Sequence, residues 1–331
     1  MSTCEARQKE LDEEVKAYIK LLHENHSGTL TSNFIKALSV PQVPEPPKNE
    51  DGSIDSSFSF RYYKNHFFDD LDFTDQRLLR TSVYHEKIMT YLNKLTYQIP
   101  DSIIKSVDVV LKNAIKNDEL FKYTLNNLTS KYERSEQMGI DAVFVHLAKN
   151  YYMKGMADEW FSKEQLKKLS ERANALEPLL IGKKAPNIVV KDTAQKKFLQ
   201  LYEVESPFTI VYIWSPDCGH CKISTPELKK VYDEYKSKGV EVFGVNNEFE
   251  NKDWIKFINK HQLDWINGSD GGDYRSNFRT LYDVYSTPQT YVLDKDKKII
   301  AKKIPIESLG NVLDFYIKQA EKDKLKAIDE K

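Results

Sequence analysis

The run Phe-Thr-Ile-Val-Tyr-Ile-Trp at Phe208–Trp214 limits the fold of this chain more than any other stretch. Every side chain in the run is apolar, aromatic or β-branched, and the alternation typical of a half-exposed strand is absent. A strand of this composition is expected to be buried on both faces. Because helices cover both faces of such a strand, the run predicts an α/β arrangement.

The sequence after this run continues the α/β pattern. A second strand is expected at Val240–Asn246. Two further strands, joined by a charged turn, are typical of a hairpin and are expected at 289–294 and 298–304. Helical patterns cover 226–238, 252–261 and 309–322. We therefore predict an α/β domain at 179–331, with a mixed central sheet and helices on both faces.

The preceding residues, 1–178, have a helical pattern and predict an all-α domain that binds a partner or has a structural role. Leu11, Val15, Tyr18 and Leu22 fall on one face of the first helix. Pro100 suits the first turn of a helix, and Ser162 with Gln165 is typical of a capping box. Further helices are expected at 75–97, 100–117, 119–132, 140–154 and 163–176.

The bulk composition narrows the class of function. The chain has 331 residues and a formal net charge of −1, so no overall field favours nucleic acid or an anionic membrane. Neither of the common glycine-rich nucleotide-binding motifs occurs. No apolar run approaches the roughly 18 residues needed to span a bilayer, and no signal peptide is evident.

The start of the chain raises the question of a lipid anchor. Ser2-Thr3-Cys4 before a polar helix looks like the remnant of a lipoprotein cleavage site, with Cys4 as the acylated residue. The alternative is an ordinary cysteine in an N-terminal tail. A lipid on Cys4 is the one membrane attachment that the sequence predicts.

The motif Cys218-Gly219-His220-Cys221 carries the candidate chemistry. It follows the buried strand directly, so Cys218 is expected at a helix N-terminus, where free N–H groups stabilise a thiolate. The alternatives are half of a zinc site or two structural thiols. A structural zinc needs a second pair of ligands, and no second C-x-x-C or C-x-x-H is present. A redox pair is the favoured interpretation, with metal handling as a minor alternative.

The ordered set Trp214, Cys218-Gly219-His220-Cys221, Lys222, Pro226 and the distant Thr287-Pro288 resembles the thioredoxin superfamily. The segment Ile-Gly-Lys-Lys-Ala-Pro-Asn-Ile-Val-Val-Lys-Asp, at 181–192, is similar to the first strand of its TlpA/ResA-type thiol–disulfide oxidoreductases. The resemblance covers roughly residues 180–325. It implies a thioredoxin-like fold, and a cell-envelope or periplasmic location is suspected from it and from Cys4.

The resemblance also implies roles for individual residues. Cys218 would attack a protein disulfide and Cys221 would resolve the mixed disulfide. Trp214, Thr287 and Pro288 would contact the substrate, with Thr287-Pro288 as a cis peptide. No cofactor is implied beyond the redox-active Cys218–Cys221 disulfide itself.

His220 bears on the direction of electron flow. The Gly-His dipeptide is the one found in protein disulfide isomerases, and a histidine here can stabilise the Cys218 thiolate. The couple would then be more oxidising than thioredoxin, nearer to about −180 mV than to about −270 mV.

The chain departs from the family at two positions. Thioredoxin carries a buried Asp where this chain has Tyr212, and the cytochrome-maturation reductases carry a Glu where it has Ser224. Both acids serve proton transfer at the resolving cysteine. Their absence leaves the proton carrier for Cys221 unassigned and weakens the expectation of efficient reductase activity.

The sequence therefore favours a thiol–disulfide oxidoreductase that acts on protein disulfides, with reductase and isomerase both open. Its expected partners are protein thiols and disulfides and an upstream electron donor, without nucleic acid. The alternative is a partner-binding module in which the thioredoxin-like part is a scaffold of weak redox activity. In either case the helical half would bind a partner or dimerise.

Overall fold

The structure, a computed structural model, describes residues 3–48, 51–271 and 277–329. The chain divides into two compact units, Met1–Lys131 and Tyr132–Lys331. By this division, residues 132–178 belong to the same compact unit as the α/β part. The predicted domain boundary at residue 178 stays a prediction. The prediction of a helical region followed by a mixed sheet with helices is confirmed.

The first unit is built from helices around a core that includes Leu78, Tyr84, Leu92 and Leu111. It holds six α-helices in the described residues, and the last of them ends at Glu133, two residues into the second unit. The helices are α1 (Thr3–Asn25), α2 (Leu30–Leu38), α3 (Phe58–Asn65), α4 (Val83–Lys94), α5 (Pro100–Ala114) and α6 (Asp118–Glu133). Pro100 begins α5, as predicted. The side chain of Cys4 lies outside the described part of the structure.

The predicted helix at 75–97 is wrong in its first third. The Asp75 side chain accepts a hydrogen bond from the backbone N–H of Arg77 and starts a separate 3₁₀ turn, Gln76–Arg80. Thr81 then has extended backbone angles, which end that turn before α4 begins. The local hydrogen bond of Asp75 therefore competes with a continuous helix.

Two helices of the second unit precede its sheet, α7 (Asp141–Leu147) and α8 (Lys163–Leu176). The predicted helix at 140–154 is α7 followed by a π-helical turn, Ala148–Tyr152, which the sequence analysis does not anticipate. The predicted capping box is confirmed, because Ser162 accepts from the Gln165 N–H and Gln165 accepts from the Ser162 N–H.

Seven strands form the single mixed sheet of the second unit, in the order β2-β1-β5-β4-β3-β6-β7. They are β1 (Val189–Lys191), β2 (Phe198–Gln200), β3 (Phe208–Trp214), β4 (Val240–Asn246), β5 (Ile266–Ser269), β6 (Gln289–Leu293) and β7 (Ile299–Lys302). Every residue of β3 is buried, as its composition predicts. The predicted β6–β7 hairpin is also confirmed.

The central strand β3 sets which segments meet at one edge of the sheet. It runs parallel to β4, with Trp214 opposite Asn246. It runs antiparallel to β6, with Ile213 opposite Gln289. Hence the residues after β3, the residues after β4 and the residues before β6 come together at this edge, where ligands of open α/β sheets usually bind.

Helices cover the sheet and bury two apolar clusters. These helices are α9 (Gly219–Tyr235), α10 (Lys252–His261), α11 (Phe278–Leu281) and α12 (Ile306–Asp329). Ile210, Tyr212 and Trp214 of β3 belong to one cluster, whereas Val211 and Ile213 belong to the other. The helix predicted at 226–238 in fact begins at Gly219. None of the helices in the described ranges is both long and apolar enough to cross a membrane.

Pro226 lies inside α9, as the resemblance implies, and Cys218 lies at the helix N-terminus, as predicted. A proline within a helix removes one backbone hydrogen bond, because it has no N–H, and its ring makes one steric clash with the preceding turn. The apolar packing of Cys221, Leu228 and Tyr232 holds the helix on both sides of it.

A buried ion pair joins α7 to the edge strand β7. The Lys302 amine donates to the Asp141 carboxylate and to the Leu179 carbonyl, 2.6 Å away. The Lys302 side chain is only 2% exposed. Desolvation lowers the pKa of Lys302, and the Asp141 charge opposes that shift. Removing one partner would leave an uncompensated charge in the interior.

We expect Asp141→Ala to lower the free energy of unfolding of the second unit by about 3–5 kcal/mol. The measurement is urea unfolding of the full chain, followed by near-ultraviolet circular dichroism. Lys256→Ala is the control, because its pair with Asp253 is exposed and should contribute about 0–1 kcal/mol. Equal losses for both variants would contradict the assigned role of the buried pair.

Candidate active site

The two cysteines lie where β3 gives way to α9. Cys218 is the residue before the first helical residue of α9, with backbone angles in the extended region. Its N–H donates to the Ser215 carbonyl at 3.3 Å, and its own carbonyl accepts from the Lys222 N–H at 3.1 Å. Cys218 is half-buried, whereas Cys221 is 0% exposed, and both are free thiols.

The Thr287 segment faces Cys218 across the sheet edge. The Cys218 thiol donates to the Thr287 carbonyl at 3.1 Å. Burial opposes ionisation of Cys218, but hydrogen bonds from the Thr287 side chain and from the Cys221 backbone N–H outweigh it and lower its pKa. Cys218 is therefore the thiol that ionises first.

Cys221 has the opposite electrostatic environment. Burial raises the pKa of the Cys221 thiol to about 12. A hydrogen bond from the Ser215 backbone N–H favours the thiolate, whereas the neighbouring Cys218 disfavours it. Cys218 is thus more accessible and more acidic than Cys221. Thiol–disulfide exchange uses such a difference, because one thiol attacks and the other resolves the mixed disulfide.

Among the residues predicted to contact substrate, Thr287 lies beside Cys218, and Trp214 belongs to the same apolar cluster as Cys221. The Thr287-Pro288 peptide is cis, which confirms that prediction. Trp214 is 0% exposed and packs against Phe257, with ring centres 5.2 Å apart. Its indole is part of the core, and its contact with substrate stays a prediction.

His220 is exposed in the first turn of α9. Its backbone N–H is one of the groups that lower the pKa of Cys218, after the side chain of Thr287 and the groups of Cys221. The contribution of His220 visible in this structure is therefore made by its main chain.

Hydroxyl groups occupy the two positions where relatives carry an acid. The Tyr212 hydroxyl lies 3.0 Å from the Ser224 hydroxyl and 2.9 Å from the Thr225 hydroxyl. Tyr212 is 0% exposed, and burial raises its pKa far above the ordinary value. The Ser224 hydroxyl also donates to the His220 carbonyl at 2.9 Å. This cluster holds β3 against α9 but supplies no carboxylate.

A carboxylate that the sequence analysis missed approaches from the other parallel strand. The Ser215 hydroxyl donates to Glu248 Oε1 at 2.5 Å. Glu248 is held in place because its N–H donates to Asn246 Oδ1 and its carbonyl accepts from Asn246 Nδ2. Since the carboxyl ends of neighbouring parallel strands meet at one edge, a polar residue just after β4 was the available signal.

The loop 283–288 begins at Asp283, whose φ of 50° lies in the left-handed region. The Asp283 carbonyl accepts from the Tyr285 N–H at 3.0 Å and from Gln289 Nε2 at 3.2 Å. Burial raises the pKa of the Asp283 carboxyl, and the charges of Arg172 and Lys303 oppose the shift. The loop is therefore closed around Asp283 and leads directly into Thr287.

A metal site has no support in the described ranges of the chain, where no group of three or more His, Cys, Asp or Glu side chains could hold an ion. The side-chain hydrogen bonds that shift the pKa values of Cys218 and Cys221 come from the other cysteine and from Thr287. The arrangement suits exchange of electrons between thiols more directly than metal binding.

The sheet, the paired cysteines before and within α9 and the opposing Thr287-Pro288 segment define a thioredoxin-like domain of the thiol–disulfide oxidoreductase class. Comparison with sequence families agrees. Residues 181–302 match the AhpC/TSA family, and residues 5–177 match a domain of unknown function, DUF5106. The chain therefore belongs to the DUF5106 family in its N-terminal half and continues into a ResA-like AhpC/TSA domain.

Individual relatives fit this assignment. The thiol-disulfide oxidoreductase ResA of Bacillus thuringiensis is 29% identical over 143 residues, which cover 43% of this chain and 80% of ResA. ResA of Bacillus subtilis is 29% identical over 119 residues, covering 36% of this chain and 64% of that protein.

Solved structures also match. A thioredoxin-like protein from Bacteroides caccae has a TM-score of 0.64 at 17% identity and covers 84% of this chain and 98% of its own. This likeness shows the fold. A domain of a possible thiol-disulfide isomerase from Cytophaga hutchinsonii is 39% identical, covers 44% of this chain and 99% of its own, and has a TM-score of 0.41.

We expect alkylation of the reduced protein by iodoacetamide to show one ionisation below about 8.5, the ordinary pKa of a thiol, and to modify Cys218. The Cys221→Ser variant should keep this reaction. In a Cys4→Ser background, the Cys218→Ser variant should stay almost unmodified in the neutral range, because burial raises the pKa of Cys221 to about 12. Rapid neutral alkylation of Cys221 would contradict the assignment.

Proposed function

We propose that the chain is a thiol–disulfide oxidoreductase acting on protein disulfides through the Cys218–Cys221 pair. The carrying observation is the opposite perturbation of the two thiols, with a lowered pKa at half-buried Cys218 and a raised pKa at buried Cys221. The ResA relatives support the same class of reaction.

In the reducing direction, the Cys218 thiolate attacks one sulfur of a substrate disulfide. A mixed disulfide forms on Cys218, and the second substrate sulfur leaves as a thiolate that takes up a proton. Cys221 then loses its proton and attacks Cys218, which releases the first substrate sulfur. The substrate gains two electrons and two protons, and the chain is left with a Cys218–Cys221 disulfide.

Restoring the dithiol needs an upstream dithiol donor. The reverse sequence would oxidise a substrate dithiol, and partial reversal would isomerise disulfides. Because a low Cys218 pKa stabilises the reduced form, the couple is expected to be more oxidising than thioredoxin, with a potential above about −270 mV.

The Cys221→Ser variant of the full chain should accumulate a stable mixed disulfide on Cys218 when mixed with a disulfide-bonded protein such as insulin. The wild type should instead turn over and reduce insulin with dithiothreitol as donor. Equilibration with glutathione gives the potential of the pair. The Cys218→Ser variant is the control and should trap no partner. If Cys221→Ser traps no partner and the pair has no measurable redox potential, the proposal is wrong.

Glu248 is expected to support ionisation of Cys221 indirectly, by holding Ser215 in place, because a backbone N–H donates to the sulfur but cannot carry its proton to the carboxylate. Ser215 touches both groups, because its hydroxyl binds Glu248 and its N–H binds the Cys221 sulfur. Glu248→Gln should slow resolution of the mixed disulfide by Cys221 by roughly a hundredfold, with the Cys218 alkylation profile unchanged. Glu250→Gln, exposed in the same loop, should resolve it at the wild-type rate. Equal rates for both variants would refute the role of Glu248.

The second candidate function, partner binding by the helical half, is supported by the exposed apolar face of α1. Leu11, Val15 and Tyr18 lie at helical spacing on that face and are 44%, 55% and 63% exposed. Self-association is one form of this role. Sedimentation of the wild type and of Val15→Glu tests it, since equal monomeric behaviour would remove self-association.

We also propose a cell-envelope location with a lipid on Cys4. The support is the resemblance to the envelope oxidoreductases and the Ser2-Thr3-Cys4 sequence. Fractionation of cells expressing the native gene tests it, with Cys4→Ser as the control. Equal recovery of both forms in the soluble fraction would contradict the anchor.

A further inference from the structure

The helix α8, in the stretch matched by the domain of unknown function, reaches the redox site of the second unit. Arg172 on α8 forms an ion pair with Asp283, with 2.6 Å between Nη1 and Oδ2. The Asp283 side chain is 10% exposed and that of Arg172 is 28% exposed. This pair is thus largely shielded from water, which strengthens it relative to a surface pair.

The same guanidinium also contacts a second residue of the loop 283–288. It lies over the ring of Tyr285, with 4.8 Å from Cζ to the ring centre. Tyr285 is 81% exposed, and within the described residues the Arg172 guanidinium is the group that stacks on its ring. A planar guanidinium can pair with a carboxylate and stack on an aromatic ring at once, which lysine cannot.

Two independent features anchor α8 itself. The capping box fixes its first turn. Just beyond its other end, in the 3₁₀ turn Glu177–Leu179, the Leu179 carbonyl accepts from buried Lys302, which also pairs with Asp141 of α7. Arg172 is therefore mounted on a rigid support, whereas the loop it contacts contains a left-handed Asp283 and two exposed residues, Tyr285 and Ser286.

We propose that Arg172 is a positioning residue for the Cys218 site, which clamps Asp283 and Tyr285 so that Thr287 stays within hydrogen-bond distance of Cys218. The redox domain then extends into the end of the DUF5106 region. The clamp touches neither the cysteines nor a substrate cysteine, and it acts through the position of Thr287. The exchange part of the test rests on the proposed function, whereas the alkylation part does not.

The primary test is the pH midpoint of Cys218 alkylation in the reduced full chain. Arg172→Ala should raise this midpoint towards the ordinary thiol value, because it loosens the hydrogen bond from the Thr287 side chain, which lowers the pKa of Cys218. Arg172→Lys keeps the charge but loses the stacking and the planar fork, so it should lie between the two. Lys167→Ala, on the same helix with an exposed partner, should leave the midpoint unchanged.

The second readout is the rate of insulin reduction, which should fall by roughly ten- to a hundredfold in Arg172→Ala and less in Arg172→Lys. Asp283→Asn combined with Arg172→Ala should add little to either single change, since both break one clamp. Circular dichroism of each variant controls for folding, and Asp283→Asn alone gives the same test if Arg172→Ala does not fold.

The outcomes separate the two claims. A wild type that reduces no protein disulfide removes the proposed function, while the alkylation midpoints still decide whether the clamp exists. Midpoints that are the same in Arg172→Ala, Asp283→Asn and Lys167→Ala overturn the clamp, even if exchange is normal in the wild type.

Discussion

The complete burial of β3 is the constraint on which the redox domain depends. Helices cover both faces of β3, and the strands β4 and β6 flank it in the sheet. Its register with β4 and β6 brings three chain segments to the carboxyl end of β3. Cys218 comes from the first segment, Glu248 from the second and Thr287 from the third. The chemistry of the pair therefore follows from a packing requirement.

The two cysteines then differ because of their depth in this arrangement. Cys218 stands at the start of α9, where main-chain N–H groups and Thr287 favour the thiolate. Cys221 lies one turn further in and is surrounded by the core, so burial favours its neutral form. This asymmetry keeps the deep thiol inert until the outer one has formed a mixed disulfide. The hydroxyl cluster of Tyr212, Ser224 and Thr225 holds α9 against β3 and contains no carboxylate.

Sequence reasoning was accurate where one local pattern decided the outcome. The bounds of β3 and β4 and the capping box at Ser162 follow from short-range signals, whereas the cis Thr287-Pro288 peptide was implied by the family resemblance. It missed β5, because its Asn267-Gly268 pair reads as a turn, although Gly268 lies there so close to Val190 that a side chain would clash. Glu248 and Arg172 escaped it for another reason: each is distant in sequence from the cysteines, and only the sheet register and the packing of α8 bring them near.

The buried pair of Lys302 and Asp141 has a consequence for how such chains can evolve. A gene rearrangement that cut the chain between the two matched segments would separate Lys302 from the Asp141 carboxylate. It would also separate the Leu179 carbonyl from the helix α8 that precedes it. The recipient domain would inherit a charged amine in its interior. A redox domain cut at that junction is therefore expected to be less stable unless residue 302 becomes apolar.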